Sequence, residues 1–578
     1  MRSRVLLAFV AMVALSVCRV QAQDAQVAKL LADLNGADVA ARTKAADALG
    51  GYGVAAKSAV PALAKALSDT NVTLRWHSAR SLGMLGHAAK EAVPQLTAAL
   101  KDTDPRVKGN AIYALGKIGP PASSANEALA GLLADPSADI RRAVVTSLHE
   151  INPKSKMLVP LLSKVLTDSD SGVVVPALHY LAETGEVCVP TMITALGDPK
   201  TRHWACLVLG EVGPGAKAAV PELAKALSDA DPEIRLHAAV ALAEIGPASM
   251  SAAKELIAAA DDKEQGVRFG AIYALGKVGV KESAGVLKKH AASESGFLKM
   301  ISAWGLAKIH PENVEEQNKA IDLILISLKD KDPGVRRGAA MALYELKAPI
   351  DKVSDALHAA LADSDPSVQA DMAEAYASLG AKAAPRAGER LKDKQLKGLA
   401  LMVLQRLGPD AAAAVPNLIE ALKDEDPDFR REVAFALAGV GPAAEKAVPA
   451  LTAIVADPNG EIRAAACYAL GRIGPAAKEA IPALKKAMGS EDGLLKFGST
   501  WALLKIQPED AALKPAAVPV LASMLENAPH DMIRVQAAIA LGELGGIARP
   551  ALPALVRLHD DSNPAVRQAA EEATKKIQ

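Results

Sequence analysis

The hydrophobic and polar positions of this chain repeat with a period of about 33 residues. The segment AVPALAKALSD at 59–69 returns as AVPQLTAALKD from residue 92, AVPELAKALSD from 219, AVPNLIEALKD from 414 and AVPALTAIVAD from 447. Its apolar residues are three and four positions apart, which is typical of an amphipathic helix. Proline stands in the first turn, where its missing N–H costs nothing. Each period therefore begins with a helix.

The second half of each period predicts another helix. An aspartate suited to capping precedes a proline at Asp104-Pro105, Asp231-Pro232 and Asp332-Pro333, and a run rich in alanine and leucine follows. Gly-Pro then ends the helix, since glycine accepts a positive φ and proline cannot continue the helix. Neither helix buries its apolar side alone, so the hairpins must stack on one another.

A consensus of these second helices, D-x-D-P-x-[VI]-R-x-x-A-x-x-A-L-G-x-[IL]-G, recurs over about residues 27–578. It resembles the HEAT-like repeats of phycobiliprotein (PBS) lyases. For the fold, the resemblance implies an all-α, right-handed α-solenoid of about 17 HEAT-like hairpins, forming a single array over residues 23–578. For function, it implies a binding scaffold first and an enzyme second.

Composition narrows the possible partners. Half of the 578 residues are apolar but only 3% are aromatic, so alanine, leucine and valine fill the interior and allow close helix packing. Lys plus Arg and Asp plus Glu are equal at 66 each. Without a net positive field the chain is not expected to bind nucleic acid, and a charged partner must meet a local patch.

The first 22 residues predict a cleaved signal peptide. Two arginines precede an apolar run over 5–17 that is too short to span a bilayer, and small residues lead up to Ala22. We expect a periplasmic or extracellular protein whose mature chain begins near Gln23. A lipoprotein anchored through Cys18 is disfavoured, because bulky Val17 stands where a small residue is required. No later stretch has the roughly 18 uninterrupted apolar residues of a transmembrane helix.

Motifs that carry catalysis or bind metals are missing from the sequence. The remaining cysteines, Cys188, Cys206 and Cys467, are odd in number and lack a C-x-x-C motif, so we expect buried thiols. Deoxyhypusine hydroxylases with similar repeats hold iron with several His-Glu pairs, whereas this chain has only His149-Glu150. Bilin lyases work in the cytosol, which conflicts with a signal peptide. We predict no catalytic residue, cofactor or metal; an enzyme of either type remains an alternative.

Stacking aligns equivalent positions of successive repeats into columns. A basic column stands seven residues before the leucine of the A-L-G motif, here called the repeat leucine. It comprises Arg42, Arg75, Lys108, Arg141, Arg202, Arg235, Arg268, Lys299, Arg336, Lys397, Arg430, Arg463, Lys496, Arg534 and Arg567. These bases either form an anion-binding stripe or bond the turn aspartates and carbonyls of their own and adjacent repeats. An aspartate near almost every base favours the second interpretation.

An aromatic column stands two residues before the repeat leucine. It comprises Tyr113, His179, Tyr273, Trp304, Phe435, Tyr468 and Trp501. The chain has only 4 Trp, 7 Tyr and 6 Phe, so this recurrence is notable. The resemblance implies that second helices line a concave surface, where the rings would form a groove for a peptide or an extended partner. Sideways packing onto the next repeat is an equal alternative.

A charge column stands two residues after the repeat leucine and changes sign along the chain. Its members include Glu150, Glu183, Glu211, Glu244, Lys277 and Lys308. Such a change would orient a bipolar ligand, but ordinary solvated charge is favoured. Together, these patterns predict an exported, non-catalytic scaffold that binds a protein or peptide on its concave surface. A structural spacer of the cell envelope is the alternative.

Overall fold

The computed structural model describes residues 24–292, 296–528 and 530–578. These residues form helices, turns and bends, and none of them lies in a β-strand. The predicted all-α fold is therefore confirmed. The predicted signal peptide at 1–22, including Cys18, lies outside the described residues.

Seventeen two-helix repeats follow one another in the described ranges. The first helices are 24–34, Val60–Ala66, Val93–Ala99, Asn126–Gly131, Leu158–Leu162, Val189–Leu196, Val220–Ala226, Ala253–Ala259, Ala284–Ala291, Val314–Ser327, Ile350–Ala360, Ala384–Glu389, Val415–Ala421, Val448–Ile454, Ile481–Met488, Leu513–Asn527 and Leu552–Arg557. The second helices are Val39–Gly50, Val72–Leu85, Pro105–Ile118, Ala138–Ile151, Ser171–Glu183, Arg202–Val212, Pro232–Ile245, Gln265–Val278, Gly296–Ile309, Pro333–Leu346, Pro366–Ala377, Lys397–Leu407, Pro427–Val440, Gly460–Ile473, Gly493–Ile506, Asp531–Leu544 and Pro564–Ile577.

Short 3₁₀ segments lead into most first helices or close them. They are Gly53–Ala59, Gly86–Ala92, Pro120–Ala125, Leu132–Ala134, Ser163–Thr167, Gly185–Cys188, Gly213–Ala219, Gly246–Ala252, Lys281–Ser283, Gly380–Ala383, Arg390–Lys392, Gly408–Ala414, Gly441–Ala447, Gly474–Ala480, Gly545–Ala551 and Leu558–Asp560. The sequence predicted none of them, because Gly-Pro was interpreted only as a helix end.

The ends of the second helices follow the predicted chemistry. Asp332 accepts a hydrogen bond from the N–H of Gly334, and Asp426 does the same for the N–H of Asp428. At the other end, Gly474 has a φ of +71°, a conformation that glycine adopts without strain. These local signals fix where each helix begins and ends.

Close approach between neighbouring second helices explains the many small residues. In one pair, a Cβ added to Gly210 would lie 3.3 Å from the Cα of Ala241. In another, a Cβ on Gly542 would lie 3.0 Å from the Cα of Ala573. Leucines on the opposite side of the same helices, such as Leu242, are fully buried. Small residues thus allow the helices to pack backbone to backbone.

The described residues divide into two compact units. Unit 1 contains the residues up to Ile245 together with Ala522–Gln578, and unit 2 contains Gly246–Leu521. Each unit has its own stack of hairpins and its own buried alanine and leucine core. The prediction of one solenoid over residues 23–578 stays a prediction.

One stretch in the described ranges, Asp531–Asp560, is long and apolar enough to cross a membrane by length and composition alone, with a mean hydropathy of 1.3. It is not straight, because Gly545 has a φ of +55° and separates a second helix from a 3₁₀ segment. Three of its leucines, Leu541, Leu555 and Leu558, are buried within unit 1. The stretch therefore serves as the core of two repeats.

The three described cysteines are free and buried, as predicted. Burial raises the pKa of Cys206 and of Cys467 to about 12. Burial also raises the pKa of Cys188. Thiols with such pKa values are poor nucleophiles at neutral pH, which fits a packing role.

Candidate binding surfaces on the second helices

The basic column is a ladder of ion pairs between repeats. Arg75 donates from Nε and Nη2 to the carboxylate of Asp102 in the next repeat, at 2.7 and 3.0 Å. Its Nη1 donates to the carbonyls of Asp69 and Thr70 in its own turn, at 3.0 and 3.3 Å. The hydrogen bonds from Arg75 lower the pKa of Asp102 against the opposing effect of burial. One guanidinium thus ties two repeats together.

The same pairing recurs throughout both units. Its other members are Arg42–Asp69, Lys108–Asp135, Arg141–Asp168, Arg202–Asp229, Arg336–Asp363, Lys397–Asp424, Arg430–Asp457, Arg463–Asp492 and Arg534–Asp561. The ladder interpretation is confirmed. The alternative of an anion-binding stripe is wrong for these positions, because turn carboxylates already neutralise the bases.

The aromatic column divides into exposed and buried rings. Phe435 and Tyr468 of unit 2 are 40% and 36% exposed, and Tyr113 of unit 1 is 44% exposed. Trp304 and Trp501 are only 2% and 7% exposed. The expectation of an exposed groove is therefore wrong for the two tryptophans, which lie in the core between repeats.

Each buried tryptophan packs against a glycine on the preceding second helix, and exposed Tyr113 packs against Gly83 in the same way. A Cβ added to Gly276 would lie 2.5 Å from Cζ3 of Trp304, and one added to Gly471 would lie 2.4 Å from Cζ3 of Trp501. Each indole therefore fills the space that a side chain would take. At Phe435 the corresponding preceding residue is Gln405, whose side-chain amide donates to the carboxylate of Glu432 at 3.0 Å.

Neighbouring rings of the column contact one another in unit 2. Tyr468 stacks on Trp501 with 5.3 Å between ring centroids and meets Phe435 edge-on at 6.0 Å. Tyr273, which is half-buried, stacks on Trp304 at 5.5 Å. The buried tryptophans therefore support the rings that remain exposed.

Two methionines of the same column were missed by the sequence reasoning, which recorded only rings. Met341 is 54% exposed and Met402 is half-buried, both two residues before a repeat leucine. Met402 with Phe435 and Tyr468 occupies one position on three successive second helices of unit 2. We call these three residues the apolar stripe. The signal was available, since all three are apolar residues at one position of the period.

In unit 1, the acidic part of the charge column forms a chain with histidines. His149 Nε2 and His179 Nε2 lie 2.9 and 3.1 Å from the two oxygens of Glu183. His179 Nδ1 lies 2.7 Å from Glu211, and this hydrogen bond raises the pKa of His179. The hydrogen bond from His149 lowers the pKa of Glu183. Both carboxylates thus have partners within the chain.

The other two glutamates differ in their surroundings. Glu150 accepts a hydrogen bond from Lys117 at 2.6 Å, whereas Glu244 is exposed. The acidic residues are therefore not one uniform patch.

In unit 2, the lysines of the charge column share a carboxylate that the sequence analysis did not single out. Lys277 Nζ and Lys308 Nζ lie 3.1 and 3.8 Å from the oxygens of Glu345. They also lie 5.8 and 5.9 Å from the ring centroids of Tyr273 and Trp304. Glu345 thus offsets one of the two positive charges expected at this place. Whether any column residue binds a partner stays a prediction.

Metal ligation finds no support in the geometry. Within the ranges that the structure describes, no group of three or more His, Cys, Asp or Glu side chains is arranged to hold a metal ion.

Comparison with known proteins identifies the repeat. The family model for HEAT repeats matches residues 27–90, 84–126, 189–253, 384–461, 448–515 and 512–575, which together exceed half of the chain. No curated protein matches the sequence. Among solved structures, Kap95 in its complex with Nup1 is 13% identical, with 100% of this chain and 97% of that chain covered and a TM-score of 0.49. The karyopherin Kap121p bound to the SUMO protease Ulp1p is 14% identical, with coverages of 95% and 77% and a TM-score of 0.48.

Proposed function

This chain belongs to the HEAT repeat family, and we propose that it is a non-catalytic scaffold that binds a protein or peptide partner. The observation that carries the proposal is the partial exposure of Phe435 and Tyr468 in the apolar stripe. Rigid rings lose little conformational entropy on contact and often dominate binding energy. A partner that covers the stripe would bury apolar area that the fold leaves in water.

We infer that the stripe lies on the concave side of unit 2. Second helices of neighbouring repeats pack directly on each other there, whereas neighbouring first helices touch less. The tighter layer of a curved helical stack is its inner layer. Packing of this kind supports a groove lined by second helices, in which an extended partner crosses several repeats.

Charges beside the stripe favour a partner with carboxylates next to apolar side chains. Arg472 is exposed one turn from Tyr468 on the same helix. Arg406 stands at the equivalent position near Met402 and pairs with Glu374. Complementary charge at the rim would orient the partner and speed its association.

Loss of the two rings of the stripe is expected to weaken partner capture. In crosslinking capture from native cell envelopes, the double substitution Phe435→Ala and Tyr468→Ala should weaken recovery of the wild-type partner at least tenfold, equivalent to about 1.4 kcal/mol or more. Tyr113→Ala, which removes an exposed ring of the same column in unit 1, is the control. Undiminished capture by the double variant would move the site elsewhere, and wild-type protein that captures nothing would favour the spacer alternative.

We further propose that the protein is exported. Support comes from the basic, apolar and small-residue order of residues 1–22. Mass spectrometry of the secreted or periplasmic protein should find a mature N-terminus near Gln23. An N-terminus at Met1, or a lipid on Cys18, would contradict this.

A further inference from the structure

Two lysines of the first repeats converge on one carboxylate of the last described repeat, all within unit 1. Lys57 Nζ lies 2.5 Å from Oδ2 of Asp560, and Lys90 Nζ lies 3.0 Å from Oδ1. These pairs join positions that are 503 and 470 residues apart in the sequence. Each carboxylate oxygen thus has its own ammonium partner.

The repeat itself sets the positions of the two lysines. Lys57 and Lys90 are the fifth residues of the equivalent 3₁₀ segments Gly53–Ala59 and Gly86–Ala92. Successive repeats therefore present two ammonium groups in phase. A single carboxylate that lies between the two ammonium groups can therefore form an ion pair with each.

Asp560 departs from the pattern of its own position. It directly precedes the ladder residue Asp561. At the position equivalent to Asp560, other repeats of unit 1 carry residues such as Ser68, Lys101 and Ser228. Among these repeats of unit 1, the one that contacts the two lysines thus carries an acidic residue at this position.

Asp560 is more enclosed than its partners. Its side chain is 14% exposed, against 45% for Lys57 and 41% for Lys90. Burial raises the pKa of Asp560, but the hydrogen bonds from both lysines outweigh this effect and hold the pKa below its usual range. A half-enclosed carboxylate without such partners is unfavourable.

The contact between the two surfaces extends beyond the ion pairs and borders a cleft. A Cβ added to Gly86 would lie 3.3 Å from Cβ of Ser562, so the two surfaces touch there. Beside this contact is a cleft of about 710 Å³, with Tyr52 and Met84 on one side and Val556 on the other. Lys57 and Asp560 also line this cleft, so their ion pair lies at its edge.

We propose that Lys57, Lys90 and Asp560 form an ionic clasp that closes the second and third repeats onto the last one within unit 1. High ionic strength opens the clasp, because salt screens charges that are partly exposed to solvent. Opening separates the two walls of the cleft and leaves each hairpin intact.

Distance measurement between spin labels tests the clasp. Labels at Ser58→Cys and Ala565→Cys, in full-length protein with Cys18→Ser, are read by double electron–electron resonance; the buried cysteines do not compete for the label. At low salt we expect one narrow, short distance. Asp560→Lys should reduce the short-distance population by more than half and broaden the distribution, and 1 M NaCl should do the same to the wild type.

A charge exchange separates the clasp from general damage to the fold. Lys57→Asp and Lys90→Asp combined with Asp560→Lys should restore most of the short distance. Lys217→Asp, at the equivalent position of another repeat in unit 1, should leave the distance unchanged. The proposal is overturned if Asp560→Lys keeps the short distance, or if the exchange fails to restore it while circular dichroism shows full helicity.

Discussion

Replacement of Trp304 by alanine is expected to lower the free energy of unfolding of its part of unit 2 by about 3 to 5 kcal/mol. The indole is 2% exposed and fills the space above Gly276 on the preceding second helix. Truncation leaves a cavity between two repeats and removes the ring on which Tyr273 stacks. Urea unfolding followed by circular dichroism measures the loss.

The matched control is Phe435→Ala, at the same position of another repeat. Because Phe435 is 40% exposed, its removal should cost less than about 1 kcal/mol. Repeat arrays unfold in parts, so amide hydrogen exchange in Gln265–Val278 and Gly296–Ile309 should locate the effect of Trp304→Ala. Equal losses for both variants would show that the glycine contact contributes nothing.

Replacement of Arg336 by alanine is expected to cost about 2 to 3 kcal/mol. Its Nε and Nη2 donate to Asp363 at 2.6 and 2.8 Å, and its Nη1 donates to the carbonyls of Asp330 and Lys331 at 2.8 and 3.1 Å. Both charged side chains are about one-tenth exposed, so the variant leaves an enclosed carboxylate without its partner.

The adjacent arginine gives a control with the same chemistry. Arg337 pairs with Asp371 at 2.6 Å but is half exposed, so Arg337→Ala should change stability by less than about 0.5 kcal/mol. Thermal and urea unfolding should show a clear difference in stability between the two variants. A greater loss of stability for Arg337→Ala than for Arg336→Ala would contradict the ladder.

The Arg336 hydrogen bonds lower the pKa of Asp363, so their contribution to stability is present at neutral pH and is lost as the pH falls through that lowered pKa.

Local features made the fold and the ladder predictable from sequence. Helix starts at Asp332 and ends at Gly474 depend on residues within one turn, which the sequence displays directly. The ladder was predictable because each base, such as Arg75, has an acid at a fixed separation in the next repeat, as Asp102 shows. Regular stacking then brings every such pair together.

Exposure in the aromatic column was not predictable from the column alone. Trp304 and Phe435 share one position in the repeat but differ in burial, and they face Gly276 and Gln405 across the interface. The facing residue alone does not decide burial, because Tyr113 faces Gly83 and is exposed. Asp560 presents a harder case, because it pairs with a lysine 503 residues away and no motif near either residue marks its partner.

The contact between Trp304 and Gly276 has a consequence for how such arrays are rearranged. The indole occupies the place of a side chain on the preceding helix, so we expect the tryptophan and the glycine to be exchanged successfully only as a pair. Gly471 and Trp501 impose the same order on a second pair of hairpins. Recombination that joins either tryptophan to the helix bearing Gln405 would set the indole against a side chain instead of a glycine, and we expect that junction to pack less tightly. The order of modules in this array is therefore restricted, although every module has the same fold.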